Sequence, residues 1–453
     1  MRKLPPNLES KRRGRRSATL VAAVALAATM NSCGHASPAN GTSSTTGTPA
    51  RLPGLSADCL IHAPACYTPQ VIRDVYGIPA LLDRGINGRG VTVVLPEIAE
   101  TGATRPPAIT DIRQDMADFD SRFGLPKVQI QVITALAGPS ASPWSARLEE
   151  VQDTELVHTV APGASIDELL VDPAVLADPA KAASEFPTLI RLAASHGSVI
   201  SLSVSFGEHL FSSAQVASVN SALGYAANNH VTVIGASGDD GVLGTGSITR
   251  PVKEVSLPAS DPLVLSVGGT SLKANSATGA YISETAWNSP PGATGGEPAA
   301  SGGGFSHLFA KPSYQDGVPG TAARGVPDVA ADASPYSGMA VARTGPDGTD
   351  LLTGAGGTSA SAPIWAGLIA LADQQAGHPL GLVNPAIYRI ATGPQYHQAF
   401  HDVTVGNNTM NLTSTSGPVT IAGYSAGPGW DPVTGWGTPD AQVLVPLLAT
   451  KAP

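Results

Sequence analysis

Ser212–Gly241, reading SSAQVASVNSALGYAANNHVTVIGASGDDG, decides the fold. Ser212–Asn229 has a helical pattern, and Val231–Ser237 is a short, nearly continuous apolar run rich in β-branched residues. A strand apolar on both sides and fed by a helix belongs in a parallel sheet covered on both faces. Runs of the same kind stand at Val91–Leu95, Ser198–Phe206 and Leu263–Gly269, and a further helix is expected over Pro187–His196. No internal repeat, second linker or long apolar span interrupts the chain after Cys66, so residues 67–453 are expected to form one large α/β domain.

Outward from this stretch, three segments carry chemistry. Ser237-Gly238-Asp239-Asp240-Gly241 closes the strand, and the ends of parallel strands are where such sheets place functional groups. Alone it is equally an ordinary acidic turn. Gly356-Gly357-Thr358-Ser359-Ala360-Ser361-Ala362-Pro363 opens an apolar helix, IWAGLIALAD. A serine held by glycines at a helix start is exposed to attack a substrate, and the helix N-terminus favours negative charge developing nearby. Ser359 could instead simply cap the helix; the full pattern leading into a buried helix favours a nucleophile.

A serine nucleophile needs a base. The Asp-Thr-Gly and His-Gly-Thr stretches of a subtilisin are absent, and the only His-Gly, His196-Gly197, precedes a strand at the wrong place. The search therefore turns to carboxylates. Leu148, Val151, Leu156, Val157 and Val160 form a helical apolar stripe, and Glu149 and Asp153 lie one turn apart on one face of that helix. Neighbouring carboxyls share a proton and titrate together, as an acid-active base requires. On charge alone the segment also reads as a solvated acidic face.

Composition bounds the partners. The chain has 453 residues, with 26 Lys and Arg against 35 Asp and Glu for a net charge of −9. The bases concentrate at the front (Arg2, Lys3, Lys11, Arg12, Arg13, Arg15, Arg16), so the body is more acidic still and repels phosphate backbones. Nucleic acid is thus not an expected partner. Residues 1–33 read as a signal peptide: a basic segment, then the apolar run Ser17–Met30, too short to span a bilayer. Cys33 after small residues is similar to a lipoprotein signal, with ordinary cleavage near Ala36 as the alternative. Residues 34–66 form a flexible tether, and Cys59 and Cys66 are close enough to bridge in an oxidising compartment.

Together these segments resemble the sedolisin family, the serine-carboxyl peptidases. The family's Glu-x-x-x-Asp ahead of Ala-Pro falls on Glu149, Asp153 and Ala161-Pro162; its Ser-Gly-Asp-x-Gly falls on Ser237–Gly241, and its Gly-Thr-Ser-x-x-x-Pro on Gly357–Pro363. Similar stretches run from about Tyr67 to Val445, including SLSVSFGE at 201–208, SGGGFSHLFAKPSYQ at 301–315 and RGVPDVAADASPYSG at 324–338. The resemblance implies a subtilisin-like fold: a mostly parallel central sheet with helices on both faces in a single catalytic domain.

It also implies roles for these side chains. Ser359 would be the nucleophile, Glu149 the base, Asp153 its partner and Asp239 the oxyanion donor, with Asp240 only a neighbour. Glu97, ending the first strand, is either an extra proton partner or a plain strand-end acid. Phe400-His401-Asp402-Val403 and Ala426–Gly435 are similar to the family's calcium loop, implying one structural Ca²⁺ held by the Asp402 and Asp431 carboxylates and the Val403, Gly427 and Gly429 carbonyls.

The expected protein is an exported acid peptidase acting on peptides or proteins. It would be monomeric, extracellular or tethered to the cell envelope through Cys33, and without the family's large propeptide. The alternative is a lipid-anchored surface binding protein whose peptidase scaffold is catalytically silent.

Overall fold

The computed structural model describes residues 66–98, 112–136, 148–172, 179–245, 251–289, 298–320, 322–344, 350–414 and 417–451. The signal peptide, Cys33, Cys59 and nearly all of the tether lie outside the described residues. Cys66 is buried and disulfide-bonded; its expected partner, Cys59, is outside the described set.

An eight-stranded sheet forms the centre. Its strands are β1 (Thr92–Ile98), β2 (Gln129–Leu136), β3 (Ser165–Val171), β4 (Val199–Leu202), β5 (Thr232–Ala236), β6 (Leu265–Ala274), β7 (Tyr281–Ala286) and β8 (Val329–Asp332). Across the sheet they run β8-β6-β5-β4-β1-β3-β2, all parallel. β7 pairs antiparallel with the far half of β6. The helices that matter here are α1 (Ile112–Phe123), α2 (Leu148–Val160), α3 (Pro179–Ala193), α4 (Ser213–Asn228), α5 (Thr358–Ala376) and α6 (Ala441–Lys451).

Strand alternation divides the interior into two cores. Val93 and Leu95 of β1 join Val151, Val157, Trp365 and Leu444 on the side of α2, α5 and α6. Val94 and Ile200 face the other way, onto Phe186 and Ile190 of α3 and Ala222 and Leu223 of α4. Both sheet faces are thus covered, which is why the central strands read as unbroken apolar runs. Ser212 caps α4 in a reciprocal capping box with Gln215.

Two elements differ from expectation. The helix expected over Pro187–His196 runs from Pro179 to Ala193, with Pro187 inside it rather than at its start. α2 is buried on nearly every side: Glu150, Asp153, Thr154 and Glu155 are each at most 1% exposed. The solvated acidic face is therefore excluded.

Behind the sheet, Arg324 is completely buried and forks onto Asp328, at 2.7 Å to Oδ1 and 2.6 Å to Oδ2. The same carboxylate accepts bonds from Ser266 N, Asn384 and Tyr388. A buried pair so fully bonded holds β8 in register beside β6.

Candidate active site

α5 enters the site almost wholly buried from Thr358 to Asp373. Its N-cap, Gly357, sits at φ +78° and ψ 165°, a region essentially reserved for glycine, and offers no side-chain cap. Asp239 fills that vacancy from the loop after β5: its Oδ1 accepts from both the Thr358 N–H and the Thr358 hydroxyl at 2.8 Å. A β-carbon at Gly357 would lie 2.7 Å from Asp239 Oδ2, so the glycine is what lets this carboxyl approach the helix end. Ser359, 5% exposed, is one residue further along. The cap is thus Asp239, and the Ser359 hydroxyl is left to other work.

That hydroxyl lies near the Glu149 carboxyl, whose ionised form it favours. Glu149 is half-buried in the first turn of α2, and Asp153 one turn later is fully buried. Ser203, just beyond β4, donates to Asp153 Oδ2 at 2.5 Å and also reaches the Ser359 carbonyl at 3.4 Å. Glu97, at the end of β1 and 3% exposed, lies close enough to Asp153 for the two acids to shift each other's titration. Gln152 accepts from the Gly356 N–H at 2.8 Å, tying α2 to the serine loop. The four expected catalytic residues therefore converge, and Glu97 joins them.

Burial dominates the electrostatics. It lifts Glu149 well above the usual carboxylate range, with the Asp153 charge adding and the Ser359 hydroxyl opposing. It pushes Asp153 up to about 7, against the Ser203 bond and the neighbouring Glu97 and Gln152. Glu97 is also lifted well above its usual range, by burial and by the charges of Asp153, Glu149, Glu168 and Glu150. Asp239 is raised by burial and held back by its Thr358 bonds. This is an array of buried acids that keeps protons under conditions where ordinary carboxyls lose them.

Three histidines are committed elsewhere. His158 lies between Asp120 and the Pro126 carbonyl, His196 faces Asp167, and His209 is bonded to Glu254. Sequence reasoning missed Ser203, Gln152, Thr358 and Glu168. Glu168 of β3 accepts from Thr154 at 2.6 Å, on the sheet face that also carries Glu97. The serine and threonine contacts had no local signal, because each spans 14 to 156 positions.

The expected metal ligands also come together. Asp402 accepts from Gly429 N at 3.0 Å, and Asp431 from Gly427 N at 3.1 Å. The Thr434 hydroxyl contacts both Asp431 Oδ2, at 3.0 Å, and the Val403 carbonyl, at 3.5 Å. Among the described residues no group of three or more His, Cys, Asp or Glu could hold a metal; this loop offers only two carboxylates, the rest being backbone.

The comparisons decide the family. The Subtilase family model matches residues 134–389. Kumamolisin of Bacillus sp. (strain MN-32) is 32% identical over 408 residues, covering 86% of this chain and 65% of that protein. The chain belongs to the sedolisin family of subtilases. Sedolisin of Pseudomonas sp. (strain 101) is 38% identical over 214 residues, which cover 46% of this sedolisin-family chain and 33% of its relative. Human tripeptidyl-peptidase 1 is 34% identical over 268 residues, 54% of the chain and 42% of that enzyme. The sedolisin-family chain thus spans less than two thirds of the length of these relatives. The solved structure of Pseudomonas sedolisin, a serine-carboxyl proteinase complexed with two molecules of pseudo-iodotyrostatin, superimposes with a TM-score of 0.69 at 27% identity. It covers 86% of this chain and 99% of that one.

Proposed function

We propose that the protein is an acid-active serine-carboxyl peptidase. The observation that carries this reading is the Asp239 carboxyl bonded at the helix end that bears Ser359, with the Glu149 carboxyl near that serine. Ser359 Oγ forms a bond to the scissile carbonyl carbon while its proton passes to Glu149. Asp239, protonated, donates to the oxygen that becomes negative. The C–N bond then breaks as Glu149 returns the proton to the departing amine. Water repeats the sequence on the acyl-enzyme and frees Ser359.

Asp153 holds Glu149 in place and spreads its charge, while Ser203 and Glu97 hold Asp153. Helix α5 adds its N-terminal dipole where the oxyanion forms. The pH requirement follows from the two roles: the base fails as pH falls and it protonates, and Asp239 ceases to donate as pH rises through its pKa. Digestion of a denatured protein at pH 3–5 by wild type and by Ser359→Ala tests the reading. Wild type cuts and the variant does not; equal cutting by both would sink it.

Calcium fits the C-terminal loop on the chemistry of its donors: two carboxylates and backbone carbonyls, all hard oxygen. Asp402, Val403, Gly427, Gly429 and Asp431 would hold it, and its contribution would be to pin Asp402 to the Gly427–Asp431 turn. Export would be directed by residues 1–33, with Cys33 acylated, Cys59 bridged to Cys66, and a monomeric body tethered to the envelope or released. Mass spectrometry of the mature N-terminus distinguishes acylation at Cys33 from cleavage near Ala36. Among the described residues no helix is long and apolar enough to cross a membrane.

A further inference from the structure

A groove of about 470 Å³ opens beside the serine loop. One wall is the turn after β8, from Ser334 to Ser337. It is clamped to the serine loop by the Gly357 N–H bond to the Ala333 carbonyl at 2.8 Å, and Pro335 packs on Gly356. The floor is the β6–β7 ribbon. Ser271 pairs with Thr285 and Lys273 with Ser283, so strand alternation puts these four side chains on one face. The intervening Leu272 and Glu284 are buried on the other face.

Tyr67, Asn288, Ser289, Ser334 and Ser337 of the lining are tied into the fold by hydrogen bonds, and four other polar groups are uncommitted. The Ser271, Ser283 and Thr285 hydroxyls and the Lys273 ammonium have no side-chain hydrogen-bond partner or ion pair among the described residues. Among the described residues Lys273 is the only charged one lining the groove, on a chain with an excess of acids. Four free polar groups, one of them a cation, with no lining carboxylate among the described residues and a wall clamped to the serine loop, suit a bound anion. We propose that it is a substrate subsite that takes a carboxylate-bearing side chain of the polypeptide being cleaved. This rests on the peptidase reading and adds to it a preference for acidic residues on one side of the scissile bond.

The test uses quenched-fluorescence peptides that differ at one position at a time by Asp, Asn or Lys, cleaved near pH 5 by wild type, Lys273→Glu and Lys273→Met. At one position or more, wild type should favour Asp over Lys in kcat/KM by about two- to fivefold, the worth of an exposed opposite-charge pair. Lys273→Glu should invert the ratio and Lys273→Met bring it near one, with the Asn peptides cut equally by all three. An Asp-to-Lys ratio that does not respond to charge reversal overturns the proposal. Binding of the same peptides to the three proteins in a Ser359→Ala background, followed by fluorescence anisotropy, reads the ratio without turnover. If no peptide is cut, the peptidase reading falls, and the anisotropy ratios still decide the groove.

Discussion

At the residue scale, the proposed mechanism gives Asp239 two tasks with one carboxyl. Oδ1 terminates α5 through Thr358, which leaves Oδ2 for a proton and a substrate oxygen. Asp239→Ala should lower kcat by roughly 10²–10³, the usual cost of losing an oxyanion donor, with a further loss of stability because Thr358 N–H is orphaned. Asp239→Asn keeps a donor that does not titrate. Its activity should fall less, and the decline toward neutral pH should weaken or disappear in a kcat–pH profile. An unchanged decline would mean that another group controls that limb. On the opposite limb, Glu149→Gln removes the base and should cost about 10²–10⁴ in kcat, with little change in the far-UV spectrum.

At the element scale, the distance from Glu149 to Ser359, base and nucleophile in the proposed mechanism, is set by the packing of α2 on α5. Gly367 makes that packing close: a β-carbon there would come within 2.5 Å of Val160 Cβ. Gly367→Val should force the helices apart, costing about 1–3 kcal/mol of stability in denaturant unfolding. It should lower kcat more than it raises KM, since Ser359 and Glu149 ride on the separated elements. The same elements show what was legible in the sequence. β1, β4, β5 and β6 announced themselves because burial on both faces leaves an unbroken apolar run. β2 did not, since it lies at the sheet edge and its residues are exposed or half-buried. β3 hid behind Asp167 and Glu168, and β8 behind an alanine-rich run. Pro187 read as a helix start because proline favours the first turn, yet α3 carries it in its interior. Glu149, Asp153, Asp239 and Ser359 were legible because local spacing and glycines mark them. Ser203 and Gln152 were not, because their contacts depend on tertiary structure.

For the molecule as a whole, the buried acids tie stability to pH. Asp153 holds its proton up to about pH 7 when folded, whereas an unfolded aspartate releases it near pH 3.9. Between about pH 4 and 7 the folded chain therefore binds more protons, and its stability should fall as pH rises through that window. Glu149, Glu97 and Asp239 shift in the same direction. Calorimetry should find Tm lower at pH 7 than at pH 4.5 by several degrees, and a Tm that rises over this range would contradict the burial. The proposed calcium would work in the opposite sense, because its carboxylate ligands must be ionised. Added Ca²⁺ should raise Tm more at pH 7 than at pH 4, and Asp402→Asn should abolish the difference.

The two faces of the sheet also divide labour. The four side chains assigned to the proposed reaction belong to α2, α5 and the loop after β5, whereas α3 and α4 cover the opposite face. On that opposite face Tyr225 is 40% exposed, with Arg191 over its ring at 5.1 Å. A dye, bead or surface linker attached at position 225 would hang from the back of the protein and leave proteolysis undisturbed, which gives single-molecule work on this chain a ready point of attachment.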